Sequence, residues 1–242
     1  MAIILLVLGF IASLVPGVLI YLWLKKRKPE DLQYRDICKS ALKRGAFLCT
    51  ALVFALSSIF YIIEMIIKML GAGELVIDVY HKFIVFALAE ELVKYYVTMN
   101  LMKKRPYQYS RLDVISLMMI VALGFGFLEA VVYAVGANIP TMLVRGFTAM
   151  HCGYGFIMGC FVSKGMQTGQ KSYTLLGLGI PFLLHGLYDC CLSESLWAVN
   201  ENFAYVSLGL AIFAIFTLIF AIVFIRKASG KPEYTEPLRT EN

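Results

Sequence analysis

The chain has 242 residues, of which 60% are hydrophobic and 16% charged, and its mean hydropathy is +0.76. Water-soluble globular domains rarely reach these values, so the composition predicts a polytopic membrane protein. The net charge of +6 does not indicate nucleic-acid binding, because the basic residues stand beside apolar segments and form no stripe of their own. The six cysteines include no CxxC pair and are too sparse for a disulfide-stapled secreted domain.

Seven apolar runs are long enough to cross a bilayer, since about 20 helical residues span a hydrocarbon core of roughly 30 Å. The first run is too long for the core of a signal peptide, so we expect it to remain as a membrane helix. The connections are short and no internal repeat is visible, which predicts an all-α fold with one bundle over 1–228 and a disordered tail over 229–242. The predicted helices cover about 2–24, 46–70, 79–102, 113–136, 141–163, 173–193 and 203–225.

The charges of the connections predict the orientation of the bundle. Lysine and arginine residues concentrate in the connections after helices 1, 3 and 5 and in the tail from Arg226. The opposite connections, 71–77, 137–140 and 194–202, contain neither residue. Because basic loops stay on the cytoplasmic side of a membrane, we expect the N-terminus outside and the C-terminus inside.

Four consecutive helices carry ionisable side chains near their middles. At 1.5 Å per residue, Glu90 lies roughly 16–18 Å from the outer end of its helix, at the bilayer midplane, and Glu91 follows it. The same arithmetic brings Glu129, His151 and His185 to the middle of the next three helices or slightly outside it. A charged residue at this depth costs about 2.5–3.5 kcal/mol, so we expect these residues to have a function.

The acids in these segments outnumber the bases. Pairing alone cannot neutralise them, so some carboxylates must be protonated, face water or bind a cation. This imbalance favours a functional site over a structural ion pair. The acids are Glu90, Glu91, Glu129 and Asp189, and the bases are Lys94 and Arg145.

The spacing within helix 3 suggests different roles for its two glutamates. Glu90 and Lys94 are four residues apart and share a helix face, whereas Glu91 points about 100° away. We therefore expect Lys94 to hold Glu90 and to leave Glu91 free to face the cavity.

Further pairs share a face on the later helices. Phe125 and Glu129 are one turn apart, and His151 begins a stripe of small residues through HxxxGxxxG. His185 and Asp189 are also one turn apart, where a carboxylate can fix the tautomer of an imidazole. Such a pair suits either a catalytic or a metal-bound histidine.

Taken in order, these motifs resemble the PrsW family of intramembrane proteases, which is related to the CAAX-processing and bacteriocin-immunity membrane endopeptidases. The resemblance covers about residues 80–192 and rests on four motifs on consecutive predicted helices. They are EExxK (Glu90, Glu91, Lys94), FxxxE (Phe125, Glu129), Arg145 followed by HxxxGxxxG (His151, Gly155, Gly159), and PxxxHGLYD (Pro181, His185 to Asp189).

The resemblance implies a protease of the bacterial plasma membrane that cuts a single-pass or otherwise membrane-anchored protein, such as an anti-sigma factor. The family has been described both as metal-dependent and as glutamate-dependent. The absence of HExxH excludes a zincin-type site, whereas a set of Glu129, His151 and His185 with an open position suits zinc. Both mechanisms therefore stay open. The implied catalytic set is Glu90, Glu91, Glu129, His151 and His185, supported by Lys94, Phe125, Arg145 and Asp189.

A transporter is the leading alternative, because glutamates and histidines at the midplane also form proton or cation pathways. Transporters commonly show inverted repeats and paired broken helices, and neither is evident in this sequence. A non-catalytic adaptor leaves the uncompensated acids unexplained.

Overall fold

The structure is a computed structural model that describes residues 2–135 and 149–238. Within these ranges the secondary structure is helical, apart from one isolated antiparallel bridge between Ser110 and Pro237. The all-α prediction is confirmed. The helices are α1 (Ala2–Lys25), α2 (Leu32–Lys43), π1 (Arg44–Cys49), α3 (Thr50–Met69), α4 (Glu74–Tyr80), π2 (His81–Leu88), α5 (Ala89–Lys104), α6 (Arg111–Val135), α7 (Met150–Thr168), α8 (Lys171–Cys191), α9 (Glu194–Val199), α10 (Phe203–Ala228) and α11 (Pro232–Thr235).

Two of the predicted spans belong to longer helices that contain a π-helical segment. The helix predicted at 46–70 continues backwards through π1 to Leu32 and forms one rod with α2 and α3. The helix predicted at 79–102 combines α4, π2 and α5. π-helical segments often occur at functional sites, and π2 ends directly before the two glutamates of helix α5.

Helix α6 is the centre of the bundle, and 72% of its most apolar 18-residue stretch is buried. Glycines let two neighbours approach its backbone closely. A Cβ atom on Gly124 would lie 2.3 Å from the carbonyl oxygen of Leu42, and one on Gly155 would lie 2.7 Å from that of Met118. The small-residue stripe predicted on α7 therefore packs directly on α6.

The outside of the bundle is apolar, as contact with lipid requires. Side chains such as Phe54 and Phe216 are 76% and 64% exposed. Among the described residues, five helices are long and apolar enough to cross a membrane: α1, the rod from Leu32 to Met69, α6, α8 and α10.

The remaining two predicted spans do not meet that criterion. The segment 79–102 is helical throughout but carries several charged residues. The first part of the predicted span at 141–163 lies outside the described residues, and so does Arg145. A bundle of seven spans therefore stays a prediction.

The tail from residue 229, predicted to be disordered, is described as far as residue 238 and contacts the bundle. The backbone N–H of Leu238 donates to the carbonyl oxygen of Tyr109 at 2.8 Å, and the Arg111 guanidinium lies 4.4 Å from the centre of the Tyr234 ring. The aromatic and aliphatic side chains of this short segment account for the contact, which its glycine and proline content did not indicate.

Candidate active site

Helix α5 carries Glu90, Glu91 and Lys94 into the core, where these residues are 7%, 1% and 2% exposed. The Lys94 ammonium donates to Glu91 Oε1 at 2.8 Å and to Glu90 Oε2 at 3.2 Å. Lys94 thus holds Glu90 as predicted, but the prediction that it leaves Glu91 free is wrong. On a helix the residue three positions away is also a neighbour, and a buried ammonium needs acceptors on more than one side.

Helix α8 brings His185 to the same acids. Its Nδ1 atom lies 2.9 Å from Glu91 Oε1, and its Nε2 atom lies 3.8 Å from Glu90 Oε2. The predicted partner one turn along the helix is also present, with Asp189 Oδ2 at 3.4 Å from His185 Nε2. Three carboxylates on two helices thus surround one imidazole.

Helix α7 supplies His151, which links the acid pair to Glu129. The Nδ1 atom of His151 lies 3.0 Å from the Lys94 ammonium, and its Nε2 atom lies 2.7 Å from Glu129 Oε2. Because a lysine ammonium can only donate, Nδ1 accepts that bond. The proton of the neutral ring then lies on Nε2 and is donated to Glu129.

Aromatic rings form the wall around these groups. Phe125 lies under the Lys94 ammonium at 4.6 Å and meets the His151 ring edge-on at 5.2 Å. Tyr154 stacks on His185 with ring centroids 5.3 Å apart. Sequence reasoning missed Tyr154, although its position three residues after His151 on one helix face was a usable signal.

Four of the predicted residues have the composition of a metal site: Glu90, Glu91, His151 and His185. Each is buried, and each offers a ligand atom within 4.8 Å of the others. Among the described residues, Glu91 Oε2 and His185 Nε2 are buried without a hydrogen-bond partner. Carboxylate and imidazole donors of this kind fit zinc.

The group that could hold a metal includes Glu90 and Glu91, which the predicted set of metal ligands did not. Glu129, predicted as a ligand with the two histidines, lies outside this group. It contacts the far nitrogen of His151 instead, which is the usual position of a carboxylate that orients a histidine ligand. Helix rotation, which decides this difference, is not visible in the sequence.

A cavity of about 590 Å³ lies beside the buried group. Its walls come from α3, π2, α5 and α6 and from the end of α8. Glu90, Glu129 and Asp189 line it, whereas Glu91 does not. Glu90 is therefore the member of the acid pair that a molecule in this cavity meets.

Beyond this group, the described part of the chain contains one further histidine and six cysteines. His81 pairs with Glu64, their Nδ1 and Oε2 atoms being 2.7 Å apart. The six cysteines are free, and all but Cys160 are buried. Arg145, predicted to support the site, lies outside the described residues.

Comparison with known proteins identifies the family. Residues 41–223 match the PrsW-protease family, described as "PrsW family intramembrane metalloprotease". The chain is 29% identical to Protease PrsW of Bacillus subtilis over 189 residues, covering 75% of this chain and 81% of that protein. It is 30% identical to Protease PrsW of Clostridioides difficile over 147 residues, covering 56% of this chain and 60% of that protein.

A third relative extends the similarity to almost the whole chain. Protease PrsW of Geobacillus kaustophilus is 25% identical over 236 residues, covering 95% of this chain and 97% of that protein. No solved structure matches the chain. Four of the buried side chains that meet in one layer, Glu90, Glu91, His151 and His185, lie inside the matched segment. The chain belongs to the PrsW family of intramembrane metalloproteases.

Proposed function

We propose that Glu90, Glu91, His151 and His185 form the active site at which this protease cuts a membrane-anchored protein substrate. One observation carries the proposal: these buried side chains offer ligand atoms within 4.8 Å of one another, and Glu90 connects them to a cavity of about 590 Å³. Substrate and catalytic groups can meet there without crossing the packed core.

Glu90 is the proposed general base, because it is the acid of the pair that lines the cavity. It takes a proton from a water molecule as the water oxygen bonds to the scissile carbonyl carbon. The same carboxylic acid then returns the proton to the leaving nitrogen as the C–N bond breaks. The amide is thereby hydrolysed to a carboxylic acid and an amine.

The other members hold this geometry. Lys94 orients both glutamates through one ammonium group. Glu129 accepts the Nε2 proton of His151, which leaves the Nδ1 lone pair directed toward the buried group. Glu91 and Asp189 fix the ring of His185 from two sides.

The residues also fit the metal that the family description implies. Glu91, His151 and His185 would hold a divalent ion such as zinc and would leave Glu90 as the base. When bound, the ion supplies a Lewis acid that polarises the scissile carbonyl and activates water.

The proposed orientation places the N-terminus outside and the C-terminus in the cytoplasm of a bacterium. It is supported by contacts among the basic connections, since Lys28 pairs with Asp113, Arg105 pairs with Asp36, and the tail joins Tyr109. These basic segments thus gather at one end of the bundle. A reporter fused to the C-terminus tests this: fluorescence of a cytoplasmic reporter is expected, and activity of a periplasm-dependent enzyme would contradict it.

The proposed substrate class is a protein with a single membrane anchor, of the anti-sigma-factor kind that the family resemblance implies. The transporter interpretation gains no support from the family match, which is to proteases.

Cleavage of a single-pass reporter in proteoliposomes tests the site. Glu90→Gln, Glu91→Gln, Glu129→Gln, His151→Ala and His185→Ala should each lower the rate, and Glu201→Gln, an exposed acid in a turn, is the matched control. Undiminished cleavage by all five variants would rule out this group as the active site.

A further inference from the structure

Lys82 lines the same cavity as Glu90. It lies on π2, eight residues before Glu90, and this separation corresponds to roughly 12 Å along a helix axis. The Lys82 ammonium contacts the Phe86 ring at 5.8 Å from its centre. Among the described residues no carboxylate lies within ion-pair distance of it.

The acids near Lys82 have other partners. Asp78, one turn earlier, accepts hydrogen bonds from the hydroxyl groups of Ser193 and Ser195. Of the acids that line the cavity, Glu90 pairs with Lys94 and Glu129 with His151. Asp189, the third, pairs with His185. Lys82 is thus a cation on the cavity wall that lacks a carboxylate partner in the described part of the chain.

The side chains that α3 contributes to the cavity wall have no free donor, so Lys82 is the group that can recognise an acidic side chain of the substrate. The hydroxyl group of Thr50 donates to the carbonyl oxygen of Ala46 at 2.7 Å, and that of Ser57 donates to the carbonyl oxygen of Val85 at 2.6 Å. Val53 and Phe54 add apolar surface between them. These groups can pack against a peptide, but their donors are already used.

We infer that the cavity binds an extended segment of the substrate whose acidic side chain pairs with Lys82. An extended peptide rises about 3.3 Å per residue, so a distance of roughly 12 Å corresponds to three or four residues. The acidic residue of the substrate then stands three or four positions from the scissile bond, on the side that faces Lys82 and α4. This inference rests on the proposed function, because it uses Glu90 as the point of cleavage.

Three single-pass reporters test the inference once their cleavage site has been mapped. They differ only at the third and fourth positions from that site on the side that faces Lys82. These positions carry aspartate in one reporter, asparagine in another and lysine in the third, and each reporter bears a photo-crosslinker. Cleavage kcat/KM and crosslinking to the full-length protein in vesicles are both measured. Wild type should favour aspartate over asparagine about tenfold, the effect of one charge-assisted hydrogen bond.

Charge variants separate pairing from general effects. Lys82→Glu should reverse the preference toward lysine, and Lys82→Gln should abolish the discrimination. Lys68→Glu, which changes an exposed lysine of α3, should leave the preference unchanged. The same substrate preference in Lys82→Glu as in wild type would overturn the inference.

The two readouts also distinguish this inference from the proposed function. Cleavage without charge preference would overturn the inference and leave the active site standing. Crosslinking that favours aspartate without any cleavage would support the binding role of Lys82 and contradict the proposed function. A preference that follows the anionic lipid content of the vesicle, whatever the reporter, would assign Lys82 to lipid headgroups and overturn the inference.

Discussion

Two buried polar networks in this protein both join carboxylates to basic side chains, but they differ in how their atoms are paired. At the end of the bundle that holds the basic connections, the Asp113 carboxylate is fully buried and accepts bonds from Arg27, from Lys28 at 2.8 Å, and from the backbone N–H and hydroxyl group of Ser110, both at 2.8 Å. Both of its oxygens are satisfied and two bases neutralise one acid, although Arg27 Nε is buried without a hydrogen-bond partner among the described residues.

The network around Glu90 and Glu91, called the midplane network after the depth that the sequence predicts for it, has the opposite balance. Glu90 and Glu91 share one ammonium, that of Lys94. In the part of the chain that the structure describes, Glu91 Oε2 and His185 Nε2 are buried and have no hydrogen-bond partner. A cavity opens beside it. Buried polar atoms usually have partners. The acid of the first network has both oxygens satisfied, which suits a structural role, whereas the second leaves a carboxylate oxygen of Glu91 unpaired beside a cavity and so has capacity for a ligand or a reaction.

Removal of metal should give the largest effect on the midplane network. We expect the purified protein to hold one divalent ion, and chelation to lower cleavage by more than about a hundredfold. The double variant His151→Ala/His185→Ala should lose the ion, as elemental analysis would detect. A metal-free protein that cleaves at the full rate would assign the chemistry to the glutamates alone.

Asp113→Asn should change stability instead of chemistry. The substitution leaves Arg27 and Lys28 without their buried counter-charge, at a cost of about 3–5 kcal/mol in the free energy of unfolding. Denaturation in detergent measures the loss. The matched control is Asp36→Asn, whose side chain is 59% exposed in its pair with Arg105 and should contribute about 0–1 kcal/mol.

Gly124→Ala tests the frame that supports the midplane network. A new Cβ atom would lie 2.3 Å from the carbonyl oxygen of Leu42, so α6 and the α2–π1 rod must separate, at a cost of about 1–3 kcal/mol. A Cβ atom on Gly209 of α10 would meet open space, so Gly209→Ala is the control. Equal unfolding temperatures of the two variants would contradict the close packing.

Asp31→Ala should have the smallest effect and should depend on pH. Burial opposes a lowered pKa of Asp31, but hydrogen bonds from the Tyr107 hydroxyl group and the Tyr34 backbone N–H, together with the charge of Lys28, hold it below the ordinary 3.8. The residue also caps α2, a contribution of about 1 kcal/mol.

A carboxylate with a lowered pKa in the folded state stabilises above its ordinary pKa and loses that contribution as pH falls through the lowered value. The difference in unfolding temperature between wild type and Asp31→Ala should therefore be full at pH 7 and should narrow below pH 3.8. Glu30→Ala, at an exposed neighbouring position, is the control. A difference that does not change with pH would contradict the role of the charge.

The residues of the midplane network could be found from the sequence, because an ionisable side chain in an apolar run is a local signal. Glu90, Glu91, His151 and His185 were all named in this way, and the structure brings them together. Their pairing could not be found, since the sharing of Lys94 by both glutamates depends on how far each side chain reaches within the packed core.

Helix rotation and long-range contacts account for the other differences. Glu129 contacts Nε2 of His151, and Tyr154 stacks on His185, because of the way in which α6, α7 and α8 pack together. The sequence does not predict the network around Asp113, because Asp113 is separated from Arg27 by 86 positions and no periodicity joins them. Sequence patterns identify which residues are anomalous, and packing decides which of them meet.

The central claim is that the midplane network performs the chemistry and that the network around Asp113 stabilises the fold. The most direct test measures cleavage rate per folded molecule and free energy of unfolding on the same preparations of Glu91→Gln and Asp113→Asn. We predict that Glu91→Gln loses about a hundredfold or more in rate per folded molecule, whereas Asp113→Asn loses stability and cleaves normally when folded. A normal rate for Glu91→Gln, or an inactive folded Asp113→Asn, would contradict the account.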